Sequence, residues 1–256
     1  LKRKEMKPSQ FLFPVLFYGV VRFLIFKEAP PTIKLHTYGL MMALAFITSI
    51  ALITKLAQKN DPGNKLELVR HIPDLVLWII IFSMIGARTL FILVNWQDYV
   101  REPYNIIKIW QGGLVYYGGM IGGLIGTLWY CKKNRIQFFL YADIIVPFLA
   151  LGQAFGRVGC FAAGCCWGSP TDSIFGVQFP KDSMPYISHL NDGLLTAGQE
   201  YSLAIHPTQL YSVFFNLLNF VILLWIFHRK KFHGQVLLSY LFIYSIIRTT
   251  IELFRG

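Results

Sequence analysis

Charge is the first thing this sequence is short of. Of 256 residues, 14% are Asp, Glu, Lys or Arg, where a soluble domain carries roughly 25%, so a charge-coated globule is excluded. Acids are scarcer than bases, 13 against 24. No internal repeat appears, which removes solenoids and propellers. No change of composition marks a soluble domain boundary, and no small-residue cleavage site follows the apolar run at 11–26, so a cleavable signal peptide is not expected. Cysteine is rare as well, four residues in all, and none sits in the CxxC spacing of a zinc module.

What is abundant is hydrocarbon. Apolar residues make up 55% of the chain, and they come in blocks of about 20, the length that crosses a bilayer as a helix. Spans are expected near Leu35–Lys55, Ile72–Asn95, Gly112–Tyr130, Phe138–Phe155, Gln209–Phe227 and Val236–Leu253. The arm FLFPVLFYGVVRFLIF (11–26), broken by Pro14 and Arg22, is an interfacial helix or one more short crossing. The expected fold is therefore an all-α polytopic membrane protein of six to seven transmembrane helices, with residues 1–34 as an N-terminal arm and 35–256 as the transmembrane domain. The chain begins at Leu1 and stops at Gly256 directly after a helical pattern, as a fragment would.

The excess of +11 is topogenic rather than a nucleic-acid footprint. Lys55, Lys59, Lys65 and Arg70 share one connection, Lys132, Lys133 and Arg135 another, and Arg229, Lys230 and Lys231 a third. The alternate connections are neutral or acidic, and basic loops stay in the cytoplasm. By that rule the hydrophilic stretch 168–205, rich in Pro and Gly, is an extracytoplasmic cap, and the stretch GRVGCFAAGCCWG (156–168) before it lies at the outer face. Nucleic acid is not an expected partner; the lipid bilayer is.

Ionisable groups in such spans cost on the order of 3 kcal/mol each on insertion scales, so each implies a partner or a cavity. Asp74 and Asp143 fall near inner helix ends and read as structural. Arg88, Arg157, Arg248 and Glu252 fall toward outer ends. Arg248 and Glu252 are four apart, on one helix face, with Arg255 continuing the stripe. That pair is either an internal lock or half of an anion site, and three arginines in one leaflet favour a phosphate, which the guanidinium fork suits. His206, opening HPTQLY where the cap returns to the membrane, is a capping residue or a member of the same site; His36 resembles an interfacial residue. Gly118, Gly122 and Gly126 recur every fourth residue and make a flat helix face, for packing first and a substrate groove second. Cys160, Cys165 and Cys166 allow a disulfide on an oxidising face, a reactive thiol, or inert packing. The spacing CFAAGCC argues against metal, and neither metal nor cofactor is expected.

These pieces together resemble the bacterial prolipoprotein diacylglyceryl transferases. GRVGCFAAGCCWG is similar to that family's GR-x-G-N-F-x-N-x-E-x-x-G signature, LHTYGLM (35–41) to HWYGL, GAR (86–88) to GAR, GGLVYYGGMIGG (112–123) to GG-x-x-x-HGG-x-x-G, HPTQLY (206–211) to HP-[ST]-QLYE, and YSIIRTTIELFRG (244–256) to Y-x-x-x-R-F-x-x-E-x-x-R. The motifs occur in the family's order over 35–256. The resemblance implies transfer of a diacylglyceryl group from phosphatidylglycerol to the lipobox cysteine of a prolipoprotein, the first step of lipoprotein maturation, in the bacterial cytoplasmic (inner) membrane with the site toward the outer leaflet. It implies that Arg157 and Arg248 hold the phosphate, that Glu252 orients Arg248, and that Tyr38, His206 and Tyr244 line the polar end of the cavity, with Arg88 and Gly168 among the lipid-binding residues. The pattern departs at four polar positions: Tyr117 stands for the HGG histidine, Cys160 for the signature asparagine, Ala163 for the second asparagine and Cys165 for the glutamate. A phenol is a poor base at neutral pH, so Tyr117, Cys160 and Cys165 are where the chemistry would change. The alternative is a phospholipid-binding relative with redox-active outer-face cysteines, or a headgroup transferase with another acceptor. The resemblance also implies a further helix beyond Gly256.

Overall fold

A computed structural model describes residues 37–61, 67–101, 103–108, 112–196 and 198–255. The arm at 1–34 and His36 lie outside the described residues. The helices, in chain order, are α1 (Thr37–Asn60), α2 (Leu68–Val94), α3 (Trp96–Arg101), α4 (Tyr116–Asn134), α5 (Phe138–Ala162), α6 (Met184–Asn191), α7 (Thr208–Arg229) and α8 (Gln235–Glu252), with one 3₁₀ turn at Pro103–Ile106. Among the described residues there are isolated β-bridges but no strands. Each expected span falls on a helix among the described residues, the third beginning at Tyr116 rather than Gly112. Four of them, α1, α2, α5 and α7, are long and apolar enough to cross a membrane; α4 is diluted by its glycines and α8 by its Ser, Thr, Tyr and Arg.

The chain forms two compact units, residues 56–141 and residues 1–55 with 142–256. In the first, α2 and α4 pack backbone to backbone. A side chain on Gly118 would collide with the Gly86 carbonyl, one on Gly122 with the Phe82 carbonyl, and one on Gly126 would sit 2.7 Å from Phe82 Cβ. The glycine face is thus a helix seam, the arrangement that lets helices approach closely where no water drives them together. Trp78, Phe82 and Trp129 close the seam with ring centroids 4.9–5.9 Å apart.

The second unit carries its polarity inside. Along α7 the residues Thr208, Gln209, Ser212, Asn216 and Asn219 are buried, while Phe214, Val221 and Trp225 are exposed. An inverted helix of this kind suits hydrocarbon, and the row is only partly satisfied: both polar atoms of Asn219 and the side-chain oxygens of Gln209 and Asn216 have no hydrogen-bond partner among the described residues. Ser212 Oγ donates to Thr208 O at 2.7 Å and Asn216 Nδ2 to Ser212 O at 2.8 Å. α1 and α5 pack antiparallel through small residues. Gly152, Gly156 and Gly159 face Ser49, Met42 and Tyr38 in turn, and Ser49 Oγ donates to Phe148 O.

Asp143 is the polar anchor of this unit. Its side chain is fully buried in the first turns of α5 and accepts four hydrogen bonds. Lys230 Nζ and the Gly234 amide reach Oδ2 at 3.0 and 2.9 Å, and the amides of Val236 and Leu237 reach Oδ1 at 3.1 and 3.2 Å. The carboxylate therefore satisfies the open amides at the start of α8 and the positive end of its dipole. At the other end of the same two helices, the Ser169 amide donates to Phe254 O at 3.0 Å. α5 and α8 run parallel, tied at both ends. Removing one partner of a buried pair leaves the other uncompensated, so Asp143→Ala is expected to lower unfolding stability by about 3–5 kcal/mol in a detergent titration, and Asp143→Asn, which keeps one acceptor oxygen, by less.

Candidate functional site

The site is built where α5 ends. Arg157 lies one turn before Cys160, and Gln153 one turn before Arg157, so the three share a face. Gln153 Nε2 donates to Tyr240 Oη at 2.9 Å, and Tyr240 stacks on Tyr244 with centroids 5.5 Å apart. On α8 the row continues through Arg248 to Glu252. The α5 row and the α8 row thus leave one contact and run in the same direction, rising about 6 Å per four residues. Arg248 pairs with Glu252 at 2.6 Å, and Arg255 approaches the same carboxylate at 3.8 Å. The pair is half-exposed, where an ion pair contributes up to about 1 kcal/mol; its effect is to hold the guanidinium in one direction. Arg157 is half-buried and makes no hydrogen bond or ion pair to any described residue. Tyr38 packs against Gly159 and lies within electrostatic reach of Arg157, Cys160, Cys165 and Cys166.

Beyond Cys160 the chain folds back on itself. Gly164 takes φ 64 and Cys166 φ 61, and the Cys165 amide donates to Cys160 O at 3.1 Å. A left-handed conformation at a non-glycine residue needs outside support, which α7 supplies. Gln209 Nε2 donates to Cys165 O at 2.7 Å, and Thr208 Oγ1 to Cys166 O at 2.9 Å. The Gly168 amide then donates to His206 O at 2.9 Å, and the His206 amide to Ser169 O at 3.0 Å. At Gly168 a Cβ would stand 2.5 Å from Phe254 O, 2.7 Å from the Thr208 methyl and 2.9 Å from His206 Cβ, so only glycine fits between the starts and ends of three segments. The result brings the three sulfurs together: the Sγ atoms of Cys160, Cys165 and Cys166 all lie within 4.8 Å of one another, as free thiols. The linear spacing gave no sign of this, because the reversal at Gly164 folds two ligand positions over the end of the helix. Burial first, and then the neighbouring sulfurs Cys160 and Cys166, push the Cys165 thiol up to about 12.

His206 sits beside this loop. Its Nδ1 is 3.2 Å from Tyr211 Oη, and its ring meets Phe254 edge-on at 5.2 Å. With Nδ1 engaged, Nε2 is the nitrogen left to meet a substrate. The segment 170–205 above it is held by bridges from Ile205 to Pro170 and Val177, by Ser202 receiving the Phe179 amide at 2.9 Å, and by Tyr186 Oη donating to Gln199 O at 2.9 Å.

Two expected site residues belong to the unit of residues 56–141. Arg88 is buried and directs its donors at backbone: Nε to Ile106 O, Nη1 to Gly112 O and Gly113 O, Nη2 to Asn105 O and Lys108 O, at 2.6–3.4 Å. Five N–H groups meet five carbonyls, so this arginine ties Asn105, Ile106, Lys108, Gly112 and Gly113 together and has no donor left for a phosphate. Tyr117 opens α4 with its ring exposed against Tyr116. Gln153, Thr208, Gln209, Tyr211 and Phe254 were not expected from the sequence. A glutamine in the middle of the apolar run 138–155, and another in the first turn of an apolar helix, are the signals that would have found the first and third.

The fold and site define a polytopic helical membrane protein with an unpaired arginine facing a pinned, glycine-dependent loop. The profile of the family described as prolipoprotein diacylglyceryl transferase matches residues 25–256, and the chain belongs to that family. It is 34% identical over 225 residues to the phosphatidylglycerol–prolipoprotein diacylglyceryl transferase of Clostridium tetani, covering 88% of this chain and 82% of that one. It is 33% identical to the phosphatidylglycerol–prolipoprotein diacylglyceryl transferase 2 of Clostridium perfringens, covering 88% and 80%, and 34% identical to the enzyme of that name from Lactobacillus acidophilus, covering 86% and 75%.

Two outcomes follow from the loop. In reduced, EDTA-treated protein, alkylation of Cys165 should keep climbing about tenfold per pH unit above pH ~9, where an ordinary thiol has levelled off; mass spectrometry of the labelled peptide reads this. Gly168→Ala should lower stability by about 1–3 kcal/mol through overpacking and speed that same alkylation by loosening the loop.

Proposed function

We propose that this protein transfers a diacylglyceryl group from phosphatidylglycerol to the lipobox cysteine sulfur of a prolipoprotein, releasing glycerol phosphate. The observation that carries the reading is Arg157, a charged side chain on an apolar helix with no partner among the described residues. A guanidinium left unpaired at such a position implies an anion that arrives from outside the chain, and the phosphodiester of a phospholipid is the anion available at that depth. Arg248, aimed by Glu252, supplies the second clamp.

In the reaction the acceptor sulfur forms a bond to the glycerol carbon that carries the phosphate ester, and the C–O bond breaks. Negative charge grows on the leaving phosphate as the bond opens, so Arg157 and Arg248 stabilise the transition state more than the bound lipid. Tyr38 and Tyr244 flank the two arginines and orient the headgroup. The acceptor thiol must lose its proton before it attacks, and His206, through Nε2, is the imidazole at hand. Gly168 acts by allowing His206, Thr208 and Phe254 to close on the loop.

The site faces the outer leaflet of the bacterial cytoplasmic membrane in this reading. Arg135 precedes α5, Arg229 ends α7, and Lys230 and Lys231 precede α8, at the ends of these helices opposite to those that carry Cys160, His206 and Arg248, as the positive-inside bias requires.

Full-length protein in membranes, given phosphatidylglycerol and a lipobox peptide, should release glycerol phosphate and yield a thioether-linked diacylglyceryl peptide. Arg157→Ala should lower kcat by about 10²–10³-fold, as expected for loss of a donor to developing charge, with Arg157→Lys retaining part of it. Release by Arg157→Ala equal to that of the unsubstituted protein would sink the reading.

A further inference from the structure

The three gathered sulfurs have no task in the transfer as just described. Cys160 is set by the last turn of α5, and Cys165 and Cys166 by a loop whose carbonyls are held by Gln209 and Thr208. These are positions fixed by backbone hydrogen bonds, so the thiols themselves are free to act. Their Sγ atoms lie within 4.8 Å of one another, and no fourth Cys, His, Asp or Glu among the described residues joins the group. A zinc ion about 2.3 Å from each sulfur needs S···S separations of about 3.8 Å, a contraction of no more than about 1 Å. Four protein ligands would make a closed structural site, whereas three with one position open is the arrangement of catalytic zinc.

We propose that Cys160, Cys165 and Cys166 bind one divalent zinc-type cation whose open position takes the acceptor thiol of the transfer reaction. The ion site stands on the geometry of the three thiols; the identity of the fourth ligand rests on the transferase reading above. Soft thiolates select this class of ion. Its two charges against three thiolates leave one negative charge, and Arg157, one turn before Cys160, supplies the opposite one. Nearly neutral sites are those that half-buried positions tolerate.

The step balances without a redox partner. The acceptor thiol binds as thiolate, because a metal-coordinated thiol is deprotonated outright, and its proton leaves to solvent. Four sulfurs on a divalent ion leave the bound thiolate rich in electrons and nucleophilic. Its sulfur forms the S–C bond to the diacylglyceryl carbon, the C–O bond breaks, and the electron pair departs on the phosphate oxygen of glycerol phosphate, held by Arg157 and Arg248. The thioether that results carries no charge and is a weak ligand, so product leaves and the three-thiolate site is restored. The acceptor is then activated by coordination, whether or not an imidazole reaches it.

Cobalt reports each part separately. Full-length protein in lipid nanodiscs, reduced, stripped of metal and titrated with Co²⁺, should bind one ion per chain with near-ultraviolet thiolate-to-cobalt absorption of an intensity that counts three Co–S bonds. A lipobox peptide should raise the count to four, and the same peptide with serine for its cysteine should leave it at three. Cys160→Ser, Cys165→Ser and Cys166→Ser should each reduce the count to two and weaken Zn²⁺ binding by at least about tenfold. Because the first measurements use the unsubstituted chain, a variant that fails to fold does not decide them. Absence of stoichiometric Co–S absorption, or a disulfide between two of the cysteines in protein that takes up no ion, overturns the site. Three Co–S bonds that ignore the peptide, with no glycerol phosphate released, keep the ion site and overturn both the acceptor's coordination and the transferase reading. Glycerol phosphate release that is insensitive to chelators, in protein holding no ion, keeps the transferase reading and overturns the metal.

Discussion

The carboxylate of Asp143 is the interaction on which the site's geometry rests, although it lies 14 residues, or about 21 Å of helix, from Arg157. A buried anion in an apolar bundle is tolerable only with its lone pairs filled, and the start of α8 fills them with three amides and Lys230. The same contact satisfies a helix terminus that would otherwise be open. Each element cures the other's cost, and the consequence is that the start of α8 is fixed against the first turns of α5. Gln153 and Tyr240 repeat the tie midway, and Phe254 O repeats it at the far end by receiving the Ser169 amide. Two arginines on two helices can cooperate on one phosphate only if the helices do not slide, and these three ties prevent sliding.

The three arginines that look alike in the sequence are sorted by their donors. Arg88 meets carbonyls with all five N–H groups and holds Asn105, Ile106, Lys108, Gly112 and Gly113 together. Arg248 is steered by one carboxylate at half exposure, with donors to spare. Arg157 has the whole fork available. A cation in an apolar span needs an anion or a polar cage; Arg88 meets that need with backbone and Arg248 with a side chain, while Arg157 has neither among the described residues. The same rule that makes each of them conspicuous in the sequence says nothing about which solution is adopted, since that depends on carbonyls contributed by residues 17 to 25 positions away.

This bounds what can be read without coordinates. The spans, the structural character of Asp143, the packing role of Gly118, Gly122 and Gly126, and the pairing of Arg248 with Glu252 all follow from periodicity and from the cost of polarity in hydrocarbon, both local properties of the chain. The glycine seam is legible because a four-residue spacing has one helical meaning. The cysteine cluster is not, because its formation depends on a left-handed Gly164 and on two side chains of α7 that sit more than 40 residues away. Tyr211 and Phe254 were missed for a similar reason: an aromatic in an aromatic-rich chain carries no signal until its neighbour is known. Gln209 was the exception in kind, a polar side chain at a helix start whose oddness could have been weighed.

The loop 156–168 joins these themes. Its fold is maintained by main-chain groups: the carbonyls of Cys165 and Cys166, the amide of Gly168, the amide of Ser169. Backbone demands fall on Gly168, where a Cβ has no room, on Gly159 against Tyr38, and on Gly164 and Cys166, where φ is positive; the side chains at 160 and 165 carry no such demand. That separates shape from chemistry. Residues at 160 and 165 can change character, from the amide and carboxylate of the motif this stretch resembles to two thiols, without disturbing the path of the chain, while Gly168 cannot change and Arg157 has no substitute for its charge. A scaffold whose geometry is carried by backbone can therefore keep Arg157 and Gly168 and exchange the side chains at 160 and 165. The three sulfurs converge because the backbone turns there, at Gly164 and Cys166.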